Sequence, residues 1–156
     1  MAKKKIIIED SILSLMGKTM KALHYFIGDS FHSYGIELTR AQFVLLKVLS
    51  THEGIVQNDL AFITNRDKTS LARLLSTMEK KELLRRESSE TDKRTNLVHI
   101  TSKGEEALKM AHPIIKDALK VIQSNISEQE LTTTIEVLKK IRKNINADEL
   151  TMPYQN

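Results

Sequence analysis

Cysteine is absent from the 156-residue chain, which excludes a disulfide framework, a thiolate zinc site and cysteine-based redox sensing. No apolar run approaches the length of a membrane span. At the amino end Met1-Ala2-Lys3-Lys4-Lys5 is basic, but Ile6-Ile7-Ile8 is cut short by Glu9-Asp10, so no signal-peptide core forms. The chain is expected in the cytoplasm, away from membranes. Enzyme signatures are missing too: there is no nucleophile elbow, glycine-rich phosphate loop or H-E-x-x-H. The histidines His24, His32, His52, His99 and His112 show no metal-ligand spacing. Neither catalysis, a metal nor a cofactor is expected. Internal repeats and low-complexity segments are also lacking.

What is there suits one soluble domain. The length allows a sizeable core, and 40% hydrophobic with 28% charged residues is an ordinary globular balance. The net charge is only +4, but its placement is uneven. Between Thr64 and Lys103 ten cations face six anions, a surplus equal to that of the whole chain. A local excess of this kind suits a polyanion such as DNA, or is simply a charge-mixed solvated surface.

Helix is the dominant period. Ile12, Met16, Met20, Leu23, Ile27 and Phe31 fall at spacings of three and four and predict a first helix that Gly35 ends. Thr39-Arg40-Ala41-Gln42 is a capping box for a second helix, with Leu38 placed to pack on Phe43. A short helix over about Gln57 to Thr64 follows, then a turn at Asn65. Asp67 caps a helix running to about Lys81, with Leu71, Leu74, Leu75 and Met78 on its buried side. Two helices joined by a tight turn form a helix-turn-helix. Leu83 to Glu87 and Asn96 to Ile100 are strand candidates around the polar loop Ser88 to Thr95. Ser102-Lys103-Gly104-Glu105 is a second capping box. It opens a long helix with Leu108, Ile115, Leu119, Ile122 and Ile126 on its apolar face and a kink expected at Pro113. Ser127 to Glu130 is a third box, leading into Leu131, Ile135, Leu138, Ile141 and Ile145.

The fold class is therefore mainly α with a small β-hairpin: a winged helix-turn-helix with long amphipathic helices from both termini. A polar-faced helix beside a basic β-ribbon fits a major groove and the minor groove next to it. The helix would present Asp67, Lys68, Thr69, Ser70, Ala72, Arg73, Ser76 and Thr77 outward. Its short hydroxyls permit close approach, and Lys68 and Arg73 can donate to phosphates or guanine edges. At the hairpin tip Lys93 would serve phosphate and Arg94 would enter a narrow minor groove. Asp92 would orient the wing through an ion pair.

The order of elements, with Arg86, the Asp92-x-Arg94 pair, Thr101 and Gly104, resembles the MarR family of winged helix-turn-helix regulators over roughly the whole chain. That resemblance implies one domain over 1–156, with a DNA-binding core at about 36–101 and dimerisation helices at about 6–34 and 102–147. It implies a homodimer on an inverted-repeat operator of double-stranded DNA, repression of nearby promoters, and Arg86 and Asp92 as wing-orienting residues. It also implies a small anionic or phenolic effector between the dimer helices and the DNA-binding lobe, where His24, Tyr25, His32 and Tyr34 are candidate lining residues beside Phe26. Aromatic residues at helical spacing are more often ordinary core. Two positions depart from the family pattern. Glu82 stands where a glycine usually follows the recognition helix, and Ile55-Val56-Gln57-Asn58 lacks a hydroxyl cap before the third helix. The competing function is a winged-helix dimer that serves as a protein adaptor without DNA binding.

Overall fold

The computed structural model describes residues 11–52, 54–64, 66–88 and 96–145. Ile6 to Ile8, Asn65, Asp92, Lys93 and Arg94 lie outside the described residues. The elements run α1 (Ile12–Ser33), α2 (Arg40–Leu49), β1 (Ile55–Val56), α3 (Gln57–Ile63), α4 (Lys68–Lys80), β2 (Leu84–Ser88), β3 (Asn96–Ile100), α5 (Ser102–Ile122) and α6 (Glu128–Asn144).

Local chemistry sets most boundaries. Ser11, Thr39, Asp67 and Ser127 each accept a hydrogen bond from the amide three residues on, and Thr39–Gln42 and Ser127–Glu130 close as reciprocal capping boxes. Gly35 takes φ +68° just past α1, the left-handed conformation that glycine enters without a steric penalty. The second capping box differs from the sequence expectation. Thr101, not Ser102, is the cap of α5, because its hydroxyl accepts from Gly104 N at 3.1 Å. α3 starts from Val56 with no side-chain cap, as its sequence implied.

β1 is a third strand that the sequence did not reveal. It pairs antiparallel with β3 through Ile55↔Val98 and Val56↔Leu97, while β2 lies on the other side of β3, giving the order β1-β3-β2. Two residues are too few to show a period of their own.

The core gathers Phe31, Leu45, Leu46, Leu49, Leu60, Leu71, Leu75, Met78, Leu84 and Val98, all at most 2% exposed. Gln42 is buried among them, its amide oxygen satisfied by Thr39 N at 3.0 Å. The buried face of α5 overlaps only in part with the one its large apolar residues suggested. Gly104, Ala111, Ile114 and Ala118 turn inward, whereas Leu119 and Ile126 are 46% and 45% exposed. Small residues let α5 approach α1 and α2 closely, Leu108 and Ile115 pack half-buried against the core, and Leu119 remains outside. The helix continues across Pro113 to Ile122.

α1 is buried only at its carboxyl end. Phe31 is fully enclosed, but Ile12, Leu13, Leu15 and Met20 are about half or more exposed. No residue of α6 is buried. Ile135 and Leu138 are exposed on it, as is Ile145 at its carboxyl cap, and it makes no extensive contact with another described element. These two helices carry apolar faces that the single chain leaves uncovered.

Candidate nucleic-acid interface

α4 has a dry side and a wet side. Leu71, Leu75 and Met78 are buried, while Lys68, Thr69, Arg73, Thr77 and Lys80 are exposed. Thr69, Arg73, Thr77 and Lys80 follow one another at spacings of four, four and three, so they line a single face. Ser70, Ala72 and Ser76 flank it half-buried. Lys68, Arg73 and Lys80 have no ion-pair partner among the described residues.

Some predicted contact residues have structural duties as well. Asp67 Oδ1 accepts from Ser70 N at 2.8 Å, so its carboxylate closes the helix start. The Ser70 hydroxyl accepts from Arg66 Nη1 at 3.0 Å, which ties the turn before α4 to its first coil. The same turn is held by Arg66 N donating to Ala61 O at 2.9 Å and Thr64 Oγ1 donating to Leu60 O at 2.6 Å. Thr77 Oγ1 donates back to Arg73 O at 2.9 Å.

β2 and β3 rise beside this helix as the base of the wing. Arg86, predicted to orient the wing, reaches α4. Its backbone N donates to Glu79 Oε1 at 3.1 Å, its Nε donates to Glu79 Oε2 at 3.0 Å, and its Nη2 reaches the same carboxylate oxygen. Nη2 also lies 3.4 Å from Ser76 Oγ. Glu79 was not singled out in the sequence; its signal was an acid in the last turn of a helix, where the dipole disfavours it. On the opposite face Glu87 pairs with Arg85, and His99 Nε2 lies 2.8 Å from Glu87 Oε1.

Hydrogen bonds from Arg86 hold Glu79 below the usual carboxylate range, outweighing the opposing effect of burial. Arg85 and then His99 lower Glu87, and Lys103 lowers Glu82. These acids of the basic region are thus ionised and matched with cations. The exposed face of α4 keeps its positive charge.

The resemblance placed an effector between α1 and the DNA-binding lobe, and clefts occur there. One of about 560 Å³ has His24 and His32 in its wall, together with Arg40 and Lys81. A smaller one of about 440 Å³, lined by α1 residues alone, shares His24 with it and includes Tyr25. Tyr34 is 69% exposed at the carboxyl cap of α1 and lines neither. Arg40 and Lys81 were missed in the sequence. Arg40 had a signal, being a cation in the first turn of a helix, where the dipole opposes it. No cluster of three metal-ligating side chains occurs among the described residues. No described helix is long and apolar enough to cross a membrane.

Comparison with known proteins agrees with this geometry. The MarR family model matches residues 38–95, the span from α2 to the wing. The transcriptional regulator HosA of Escherichia coli O157:H7 is 30% identical over 105 residues, 67% of this chain and 78% of its own. A cysteine-to-serine mutant of MarR from E. coli, complexed with operator DNA, superposes with a TM-score of 0.79 at 21% identity. That match covers 88% of this chain and 99% of the other. BpsR of Bordetella bronchiseptica, whose DNA binding is regulated by 6-hydroxynicotinic acid, has a TM-score of 0.79 at 17% identity over 88% and 97% of the two chains. At those identities the structures attest the fold, and the sequence relative attests the kinship. With its winged helix-turn-helix fold, the chain belongs to the MarR family of transcriptional regulators.

Proposed function

We propose that this regulator is a homodimeric repressor that binds an inverted-repeat operator and is released by a small effector. The exposed face of α4 carries the DNA-binding part of the reading. Lys68, Thr69, Arg73 and Thr77 stand on a helix fixed by the Asp67 cap and by Arg66, next to the strands that lead to Lys93 and Arg94. Lys68 and Lys93 neutralise phosphate, Arg73 reads the major groove and Arg94 the minor groove. Ser70 and Ala72 let the helix lie close to the groove.

The uncovered apolar faces of α1 and α6 support the dimer. A two-fold pairing of such faces buries them and sets two recognition helices about one DNA turn apart. The cleft beside His24, His32, Arg40 and Lys81 supports the effector. Its lining combines the cations Arg40 and Lys81 with apolar Ile36 and Leu38, a mixture that suits an aromatic or phenolic anion. DNA binding by BpsR is regulated by 6-hydroxynicotinic acid.

Selection of bound duplexes from a random library at near-physiological salt tests the reading. An enriched inverted repeat with half-sites about 10 bp apart is the expected result. Adding phenolic acids to the selected duplex should release the protein. Absence of both enrichment and salt-sensitive binding would overturn it and favour the adaptor function.

A further inference from the structure

Glu79 stands out among the acids of the winged domain. It lies in the last turn of α4, where the helix dipole disfavours a carboxylate, and on a surface proposed to meet a polyanion. Both placements cost free energy unless the charge has a specific task. Its two oxygens are divided between two parts of one residue on another element. Oε1 takes the backbone N–H of Arg86, and Oε2 takes the guanidinium.

β2 is an edge of the sheet, with only β3 beside it. The outward N–H of Arg86 therefore has no strand to pair with, and Glu79 takes the place of one. The guanidinium adds a planar, two-point attachment, which fixes direction as well as distance. Ser76, one helical turn earlier, gives the same guanidinium a further point of contact. Side-chain exposures of 37% for Glu79 and 27% for Arg86 place the pair partly out of bulk water, where it is screened less than a surface pair. β2 ends at Ser88, two residues beyond Arg86, and the chain then enters the segment carrying Lys93 and Arg94.

From this arrangement we infer that Glu79 is a positioning residue for DNA recognition: it locks the wing strand to the recognition helix, so that major-groove and minor-groove reading occur in one fixed geometry. The inference rests on the proposed DNA-binding function. It gives a negatively charged residue a favourable part in binding a polyanion, through Arg86 and the wing rather than through contact with DNA.

That sign makes the test sharp. Glu79→Gln keeps the shape and removes a negative charge close to DNA. If Glu79 were only a local charge, its loss should tighten binding. If it positions the wing, Glu79→Gln should weaken binding to the selected operator at least fivefold. The loss should shrink to less than twofold in an Arg94→Ala background, because a wing without its arginine gains nothing from being aimed. Hydroxyl-radical footprinting should show minor-groove protection reduced in Glu79→Gln while protection of guanine N7 from methylation in the major groove under α4 persists. Arg86→Lys, which keeps the charge and loses the two-point fork, should reproduce the effect. It also serves as the deciding variant if Glu79→Gln does not fold. Equal or tighter binding, or an equal loss with and without Arg94, would overturn the positioning role while leaving the DNA-binding function intact. A wild-type protein with no salt-sensitive binding in the same assay would overturn both.

Discussion

Lys68 follows the Asp67 cap directly and is exposed in the first turn of α4. There the unpaired amides of the helix already attract an anion, and an ammonium beside them completes a phosphate site. Lys68→Ala should therefore weaken operator and non-operator DNA alike and lower the salt slope by about one. Equilibrium titration at several salt concentrations decides this, and an unchanged slope would remove Lys68 from the interface. Arg94→Ala should act differently. It should cost at least tenfold on the operator, most at sites with an A·T-rich minor groove, while the dimer stays intact by sedimentation. The Glu79–Arg86 pair adds a pH dependence. A carboxylate whose ionised form is favoured in the folded state stabilises above the ordinary carboxylate range, and the gain is lost as pH falls through that range to the lowered value. The melting temperature of wild type should exceed that of Glu79→Gln at neutral pH, and the difference should shrink as pH falls through the carboxylate range. A constant difference across that window would show that the pair owes nothing to charge. Caps such as Asp67 and Thr39 were legible in the sequence, because each depends on residues three positions apart. Glu79 was not, since its partner is set by how α4 docks on β2.

At the scale of elements, the junction between α4, β2 and α5 explains three residues at once. Glu82 adopts φ +61°, a left-handed conformation that glycine enters freely and a side chain enters under strain. The strand is held in that turn by Thr101, whose hydroxyl donates to Glu82 O at 2.6 Å while accepting from Gly104 N. One side chain thus caps α5 and pins the end of the recognition helix. Gly104 is required by contact rather than by φ: a Cβ there would lie 2.0 Å from Leu83 O and 2.9 Å from the Ile100 side chain. Backbone cannot retreat as a flexible side chain can. Gly104→Ala should destabilise by about 3 kcal/mol or more, lowering Tm by roughly 6–12 °C for a chain of this size. A thermal melt within 2 °C of wild type, by the same scaling, would show that α5 can shift away from β2. Thr101 and Gly104 were visible in the sequence as a pattern, but their reason was not. The buried face of α5 was read only in part: Leu108 and Ile115 do pack on the core, but periodicity finds large apolar residues and overlooks Gly104, Ala111 and Ala118, which are buried beside Ile114. β1 was missed for a related reason: its pairing with β3 is purely tertiary.

For the whole molecule the decisive quantity is the apolar surface that one chain leaves open. Ile12, Leu13 and Leu15 at one terminus and Ile135, Leu138 and Ile145 at the other are 38% to 80% exposed. Of these, Ile12, Ile135, Leu138 and Ile145 belong to the apolar faces that the spacing predicted. Such residues gain about 1.5–3 kcal/mol each on full burial, so leaving six of them in water on a capped, regular helix pair is costly. A second copy of the chain removes that cost, and two-fold symmetry uses every contact twice. Leu138→Asp places a charge in the middle of the α6 face, so each dimer would bury two unpaired carboxylates. The variant should shift the monomer–dimer constant at least 100-fold by sedimentation equilibrium. Its helix content should hardly change, because no residue of α6 belongs to the core. Operator affinity should fall steeply with it, since a monomer engages one half-site and loses the effective concentration that links the two. Non-operator binding through Lys68 and its neighbours should be much less affected. A Leu138→Asp protein that remains dimeric would mean that α6 lies outside the interface and that α1 alone joins the subunits. A monomer that still binds the operator at full strength would mean that one winged domain is the whole recognition unit.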